Sequence, residues 1–263
     1  MVFLPLLIFI FGLIIGSFLN VVILRLNTGR SIVHGRSTCA HCSRTLAWYE
    51  LIPVFSFLAL RGKCRTCKTA ISFQYALVEL VTAITFVIAY IQILIPGAFS
   101  TGAFVEYIFA IIVSALLIVI FVYDLRHQII PDVIVFPFIL LAIVSVVWKG
   151  FTIPGFLIST TLFQGVFVAL PFFLLWYFSK GRFMGFGDVK LALGIGWLLG
   201  LDGGYGAVLL SFWVGGIVGL FLLALSRRYN MKSQIPFAPF LIVGVFIASL
   251  WHVTISTIFP PWL

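Results

Sequence analysis

Residues 2–24 read VFLPLLIFIFGLIIGSFLNVVIL without a single charge, and the stretch that follows, 25–68, holds all four cysteines and half of the chain's 16 Lys and Arg. An uncharged apolar run of this length matches the roughly 20 residues a helix needs to cross hydrocarbon. Nothing basic precedes it and no small-residue cleavage site closes it before Asn20, so it is expected to be retained as a span and not removed as a signal peptide. The cysteines fall in two pairs, Cys39-Ala-His-Cys42 and Cys64-Arg-Thr-Cys67. A first membrane helix followed by a small basic cysteine module is therefore the frame on which the rest of the chain is read.

The whole chain is of the same kind: 263 residues, 63% hydrophobic and only 9% charged, too little polar surface to cover a water-soluble globule. Runs long enough for helices lie at 2–24, 75–95, 104–123, 129–148, 154–178, 189–201, 205–225 and 236–259. The expected fold is an all-α polytopic membrane protein of about eight transmembrane helices. Its expected division is a first span at 1–24, a cysteine domain at 25–74 and a seven-helix core at 75–263. The sixth run is short and rich in glycine, with Gly194, Gly196 and Gly200.

Charge sets the orientation. With the cysteine loop in the cytoplasm, Arg126, Lys180, Arg182, Lys190, Arg227, Arg228 and Lys232 also lie inside, and Lys149 alone lies outside, as the positive-inside rule requires. The same rule, beside anionic lipid heads, accounts for the net charge of +9 without a nucleic-acid partner. A cytoplasmic loop is reducing, which disfavours disulfides. Four thiolates in two Cys-x-x-Cys pairs can surround one tetrahedral Zn²⁺. With no open coordination position the ion is expected to be structural, supplying folding energy to a loop too poor in apolar residues for a core of its own. Free thiols are the alternative.

Only seven carboxylates occur: Glu50, Glu79, Glu106, Asp124, Asp132, Asp188 and Asp202. A charge in or beside hydrocarbon is costly, so each one near a span asks for a reason. Asp124 ends the third run and Asp188 begins the sixth, in Gly185-Phe-Gly187-Asp-Val-Lys190. The expected topology brings both to the cytoplasmic boundary, where two carboxyls sharing a proton could serve as acid and base for water attack on a peptide carbonyl. Read separately, Asp188 is also a good helix cap, and Asp124 a partner for Arg126 or His127. Gly185 and Gly187 favour the catalytic reading, because they permit a close backbone approach that larger residues would block.

Together these residues resemble the type IV prepilin peptidases, bacterial membrane aspartyl proteases. The resemblance runs through Gly16-Ser-Phe-Leu-Asn20-Val-Val22, both cysteine pairs, Trp48-Tyr-Glu-Leu-Ile-Pro53, Arg61-Gly-Lys-Cys64 and 75–79. It continues through Asp124, Ile130-Pro-Asp132, 185–190 and Pro236-Phe-Ala-Pro-Phe240. Ala40 and Ala238 depart from the family's usual proline and glycine without touching a proposed ligand or carboxylate. The resemblance implies Asp124 and Asp188 as catalytic residues, supported by Gly185, Gly187, Asp132 and Lys190. It implies prepilin or pseudopilin substrates, cut after a glycine just before their hydrophobic helix, in the bacterial inner membrane. Since the first span and the cysteine loop are both present, it also implies N-methylation of the new terminus with S-adenosylmethionine.

The residues themselves say little about methyl transfer. No Gly-x-Gly-x-x-Gly follows a strand. Residues 16–20 are either a small-residue contact between helices or part of a cofactor pocket. Asn20 and Glu79 are the candidate cofactor ligands, and Glu79 reads equally well as a structural bond to a neighbouring helix. Asp132 reads as a third active-site member or as a first-turn acid favoured by the helix dipole. His34, His41, His127 and His252 have no metal-like spacing. The competing readings are a peptidase without methyltransferase activity and a polytopic transporter with a regulatory zinc domain; transporter sites tend to lie at the bilayer midplane, away from the edge expected for Asp124 and Asp188.

Overall fold

Backbone donors and acceptors have no water to bond in hydrocarbon, so a chain this apolar folds as helices. The computed structural model, which describes residues 3–225 and 235–259, consists of helices and connecting turns with two isolated bridges in the cysteine loop. Arg227, Arg228 and Lys232, used above to orient the chain, lie outside the described residues. Six described helices are long and apolar enough to cross a membrane. The chain divides into two compact units, residues 1–119 and 120–263.

In the first unit, α1 (Phe3–Arg25) and α3 (Gln74–Ala89) pack lengthwise, and the polar loop between them carries a short helix, α2 (Phe55–Ala59). The contact is made by glycine. A Cβ added at Gly12 would stand 2.5 Å from Ala83 Cα, and one at Gly16 2.6 Å from Glu79 Cα. Gly12-x-x-x-Gly16 on α1 therefore meets Glu79-x-x-x-Ala83 on α3 backbone to backbone, a small-residue interface of the kind that replaces hydrophobic driving force in lipid. Beyond α3 a π-helical turn, Tyr90–Leu94, leads to α4 (Thr101–His127). Phe86, Tyr90, Leu94, Ala103, Tyr107 and Ile111 bury one another across that corner.

In the second unit, α5 (Asp132–Thr152), α6 (Ile158–Ser179) and α8 (Ala238–Trp251) all pack on α7 (Phe186–Leu225), and a last turn of helix, α9 (Ile255–Ile258), touches it too. Glycines again allow the approach: a Cβ at Gly196 would lie 2.7 Å from Gly165 Cα on α6.

The sixth and seventh apolar runs are two helices that meet without a loop at Gly200, whose φ of 74° and ψ of −175° suit glycine, and together they make up α7. The Leu201 N–H at the break donates to Gln164 Oε1 on α6, 3.2 Å away. On α6 itself Pro171 has no N–H for the carbonyl four residues earlier; that carbonyl, of Phe167, accepts the Tyr205 hydroxyl at 2.8 Å. The final apolar run is likewise shorter than expected, because α8 has only 14 residues before His252 turns into the left-handed region, fewer than the roughly 20 of a full span. The described residues thus show six helical elements long and apolar enough to cross a membrane, one of them two helices joined at Gly200, plus the shorter α8.

Gly16→Leu should force α1 off α3. Over-packing of this kind costs about 1–3 kcal/mol, so the variant is expected to unfold at a lower temperature than the parent in the same detergent, read by intrinsic fluorescence; an unchanged midpoint would contradict the interface.

Candidate active site and metal centre

Asp124 stands in the last turn of α4, behind buried Ile120, Val122 and Tyr123, and is itself buried. Asp188 is the third residue of α7 and half-buried. Their side chains lie within electrostatic range of each other. The backbone N–H of Ala238, at the first residue of α8, points at the Asp124 carboxylate, so the Pro236-to-Phe240 stretch closes the site from a third helix. His127 is turned to Tyr123, with ring centroids 4.4 Å apart.

The two glycines before Asp188 do different things. A Cβ at Gly187 would lie 2.9 Å from Ile130 Cβ, so glycine lets the start of α7 seat against the turn that enters α5. A Cβ at Gly185 would have Asp188 Oδ2 as its nearest neighbour, at 3.7 Å, so glycine there keeps a side chain away from that carboxylate. The Asp188 N–H donates to Gly185 O at 3.2 Å, tightening the turn.

Asp132 and Lys190 meet each other. Lys190 Nζ donates to Asp132 Oδ1 at 2.6 Å, joining the first turns of α5 and α7, and lies over the rings of Phe136 and Phe186. The Asp132 side chain is 59% exposed, the placement of a first-turn acid that aligns two helices.

Asn20 and Glu79 share the α1–α3 interface. Asn20 donates from Nδ2 to Gly16 O at 3.3 Å and to Tyr75 O at 3.1 Å, but its buried Oδ1 has no protein donor. Glu79 Oε2 accepts the Val54 N–H at 2.7 Å, and its carboxylate also faces the Ser17 hydroxyl. Val54 reaches Glu79 through a positive φ of 58°, uncommon for a β-branched residue, in a tight turn where the Phe55 N–H bonds Pro53 O.

The four Cys Sγ atoms lie within 4.8 Å of one another, with Cys39 and Cys67 3.8 Å apart and no disulfide. Tetrahedral metal–thiolate bonds of about 2.3 Å would place sulfurs about 3.8 Å apart, so the cluster fits one ion. The two pairs are built alike. Ser43 N–H donates to Cys39 O and Cys39 N–H to Arg44 O; Lys68 N–H donates to Cys64 O and Cys64 N–H to Thr69 O. Ser43 and Lys68 each take a φ near 57° in the turn, at 56° and 58°. Backbone N–H groups of Cys67 and Thr66 hold the Cys64 thiol down to about 6, and the Thr69 hydroxyl donates to Cys67 Sγ at 3.2 Å, so these two sulfurs are prepared for a cation, whereas Cys42 is pushed up to about 11 by burial and its neighbouring thiols. Arg44, beside Cys64, is clamped by Glu50 through bonds of 3.0 and 2.7 Å. That guanidinium, with the Ala47 N–H at 2.9 Å, holds the Glu50 carboxyl below its ordinary range.

Gly12, the Arg44–Glu50 clamp and the Val54 turn were missed in the sequence. The Gly12-x-x-x-Gly16 spacing could have revealed the first; the other two carry no local signal.

Residues 10–93 match the family model described as Bacterial Peptidase A24 N-terminal domain, and residues 111–220 match that of the Type IV leader peptidase family. Among curated proteins the chain is 34% identical to the prepilin leader peptidase/N-methyltransferase of Bacillus subtilis, covering 92% of each chain. It is 31% identical to the protein of that name in Pseudomonas aeruginosa, over 91% of this chain and 88% of the other, and 32% identical to the one in Aeromonas hydrophila, over 95% and 91%. No solved structure matches significantly.

Glu50→Gln should release Arg44 from its clamp beside the cluster. Loss of such supporting contacts costs about 10- to 100-fold in metal affinity, which a competition titration against a chromogenic chelator would measure; the clamp is present above the ordinary carboxylate range and is lost as pH falls through the depressed value.

Proposed function

The chain belongs to the type IV leader peptidase family, and on that premise we propose that it removes the leader from prepilins or pseudopilins and methylates the terminus so exposed. The observation that carries the peptidase reading is that Asp124, near the end of α4, and Asp188, at the start of α7, lie within electrostatic range of each other, with no side chain at Gly185 to crowd Asp188. One carboxylate takes a proton from water, whose oxygen attacks the scissile carbonyl carbon. The other, protonated, donates to the carbonyl oxygen, and collapse of the resulting diol expels the leaving amine with a proton. Lys190 and Asp132 act by holding α7 against α5, and Gly185 and Gly187 by keeping the turn slim.

Alternation of spans and the basic cysteine loop support a cytoplasmic active site in a bacterial inner membrane. On this reading a zinc module, 25–74, follows the first span, 1–24, and precedes the peptidase core, 75–263. A soft, all-thiolate set favours Zn²⁺ over harder ions, and with four ligands it is structural.

S-adenosylmethionine, when bound, supplies an electrophilic methyl group. Asn20 suits it, because a buried Oδ1 without a protein donor is free to accept from an ammonium or amino group; Glu79 lies on the facing helix, already tied to Val54.

Purified protein incubated with a prepilin, with and without S-adenosylmethionine, is expected to yield a leaderless product that is one methyl heavier only when the donor is present, read by mass spectrometry. An uncut substrate would overturn the proposal, and a cut but never methylated one would leave a peptidase alone. Asp124→Asn and Asp188→Asn should each lower cleavage by at least about 10²- to 10⁴-fold while leaving membrane insertion and metal content unchanged. Metal analysis of protein never exposed to chelator should find one zinc per chain, and Cys64→Ser should lose it.

A further inference from the structure

The cysteine loop exposes large apolar side chains where a soluble zinc module would hide them. Trp48 is 78% exposed, and Phe55 and Leu58, one turn apart on α2, are 66% exposed each. Their position along the membrane helix is fixed by two contacts. The Val54 N–H at the start of α2 bonds Glu79, five residues into α3 and thus about 7 Å along its axis. Phe57, on the same short helix, meets Phe73 edge-on with ring centroids 6.1 Å apart, and Phe73 immediately precedes α3. A segment pinned beside the first turns of a spanning helix lies at the level where acyl chains meet headgroups.

Charge on the same loop points to the same surroundings. Residues 25–68 contain eight Lys and Arg and one carboxylate, Glu50, which is committed to Arg44. Arg61, Lys63, Arg65 and Lys68 follow α2 directly, and Arg65 lies 5.7 Å over the Tyr49 ring while donating to its hydroxyl at 2.6 Å. Aromatic and aliphatic side chains beside basic ones are the composition of an interfacial segment, in which apolar groups sink about 5–10 Å while cations stay with the headgroups, each worth about 1 kcal/mol near an anionic surface.

We propose that residues 48–58 form a membrane-dipping anchor, with Trp48, Phe55 and Leu58 immersed in an anionic lipid surface and the basic residues after α2 among its phosphates. The anchor holds the metal module flat on the bilayer instead of letting it hang in water. The strained turn at Val54 then has a purpose, since it is what aims the N–H that pins α2 to Glu79.

The full-length protein, reconstituted in vesicles containing phosphatidylglycerol, tests this through the Trp48 emission, taken as parent minus Trp48→Phe, with metal content as the check that both fold. Lipid brominated near the headgroup end of its chains is expected to quench that difference about twofold more than lipid brominated near the methyl end, while aqueous iodide quenches it little. Replacing phosphatidylglycerol by phosphatidylcholine should weaken the bromolipid quenching. Strong iodide quenching would overturn the proposal by placing Trp48 in water. Protection from both quenchers would overturn it in favour of a protein cover, either another part of the chain or a second copy. Quenching unaffected by headgroup charge would overturn the anionic preference.

Discussion

A backbone group without a partner costs several kcal/mol inside hydrocarbon, and two departures from regular helix in this protein are answerable to that constraint. The break at Gly200 persists because Gln164 receives the Leu201 N–H, and Pro171 is accommodated because Tyr205 donates to the carbonyl that proline leaves over. Both repairs come from the partner helix across one interface. Helix α6 and helix α7 are thereby joined by polar contacts that a purely apolar seam would lack, in a setting where apolar contact with lipid competes on nearly equal terms with apolar contact between helices.

The same economy of polar groups explains the titratable residues. Few carboxylates occur, and those that the described contacts reach have distinct partners: Glu50 with Arg44, Asp132 with Lys190, Asp202 with Ser256 at 3.0 and 2.7 Å, Glu79 with Val54. Asp124 and Asp188 differ in lying within electrostatic range of each other. Two acids within electrostatic range of each other make poor structural cement, and their chemistry suits an acid–base pair.

The cysteine module solves another problem. Its chain has little apolar matter to bury, so paired turns bring the thiolates together around a metal site, and the Arg44–Glu50 clamp stiffens the stretch between the pairs. Several of its largest apolar residues, Trp48, Phe55 and Leu58 among them, are exposed, consistent with a module that uses the bilayer where another protein would use a core.

The sequence by itself determined the class of molecule and the cysteine cluster, and it singled out the two aspartates as candidates, because in a chain so apolar each charge and each cysteine stands out against a uniform background. It could not reveal which face of each helix meets which neighbour. A helix apolar all round has no stripe to read, so the seating of Gly12 and Gly16 on Ala83 and Glu79, the capping of the Gly200 break by Gln164, and the pairing of Lys190 with Asp132 rest on rotations about helix axes. Those rotations are chosen by how closely two backbones can approach and by which distant side chain can reach a broken hydrogen bond, and both are properties of the packed structure alone.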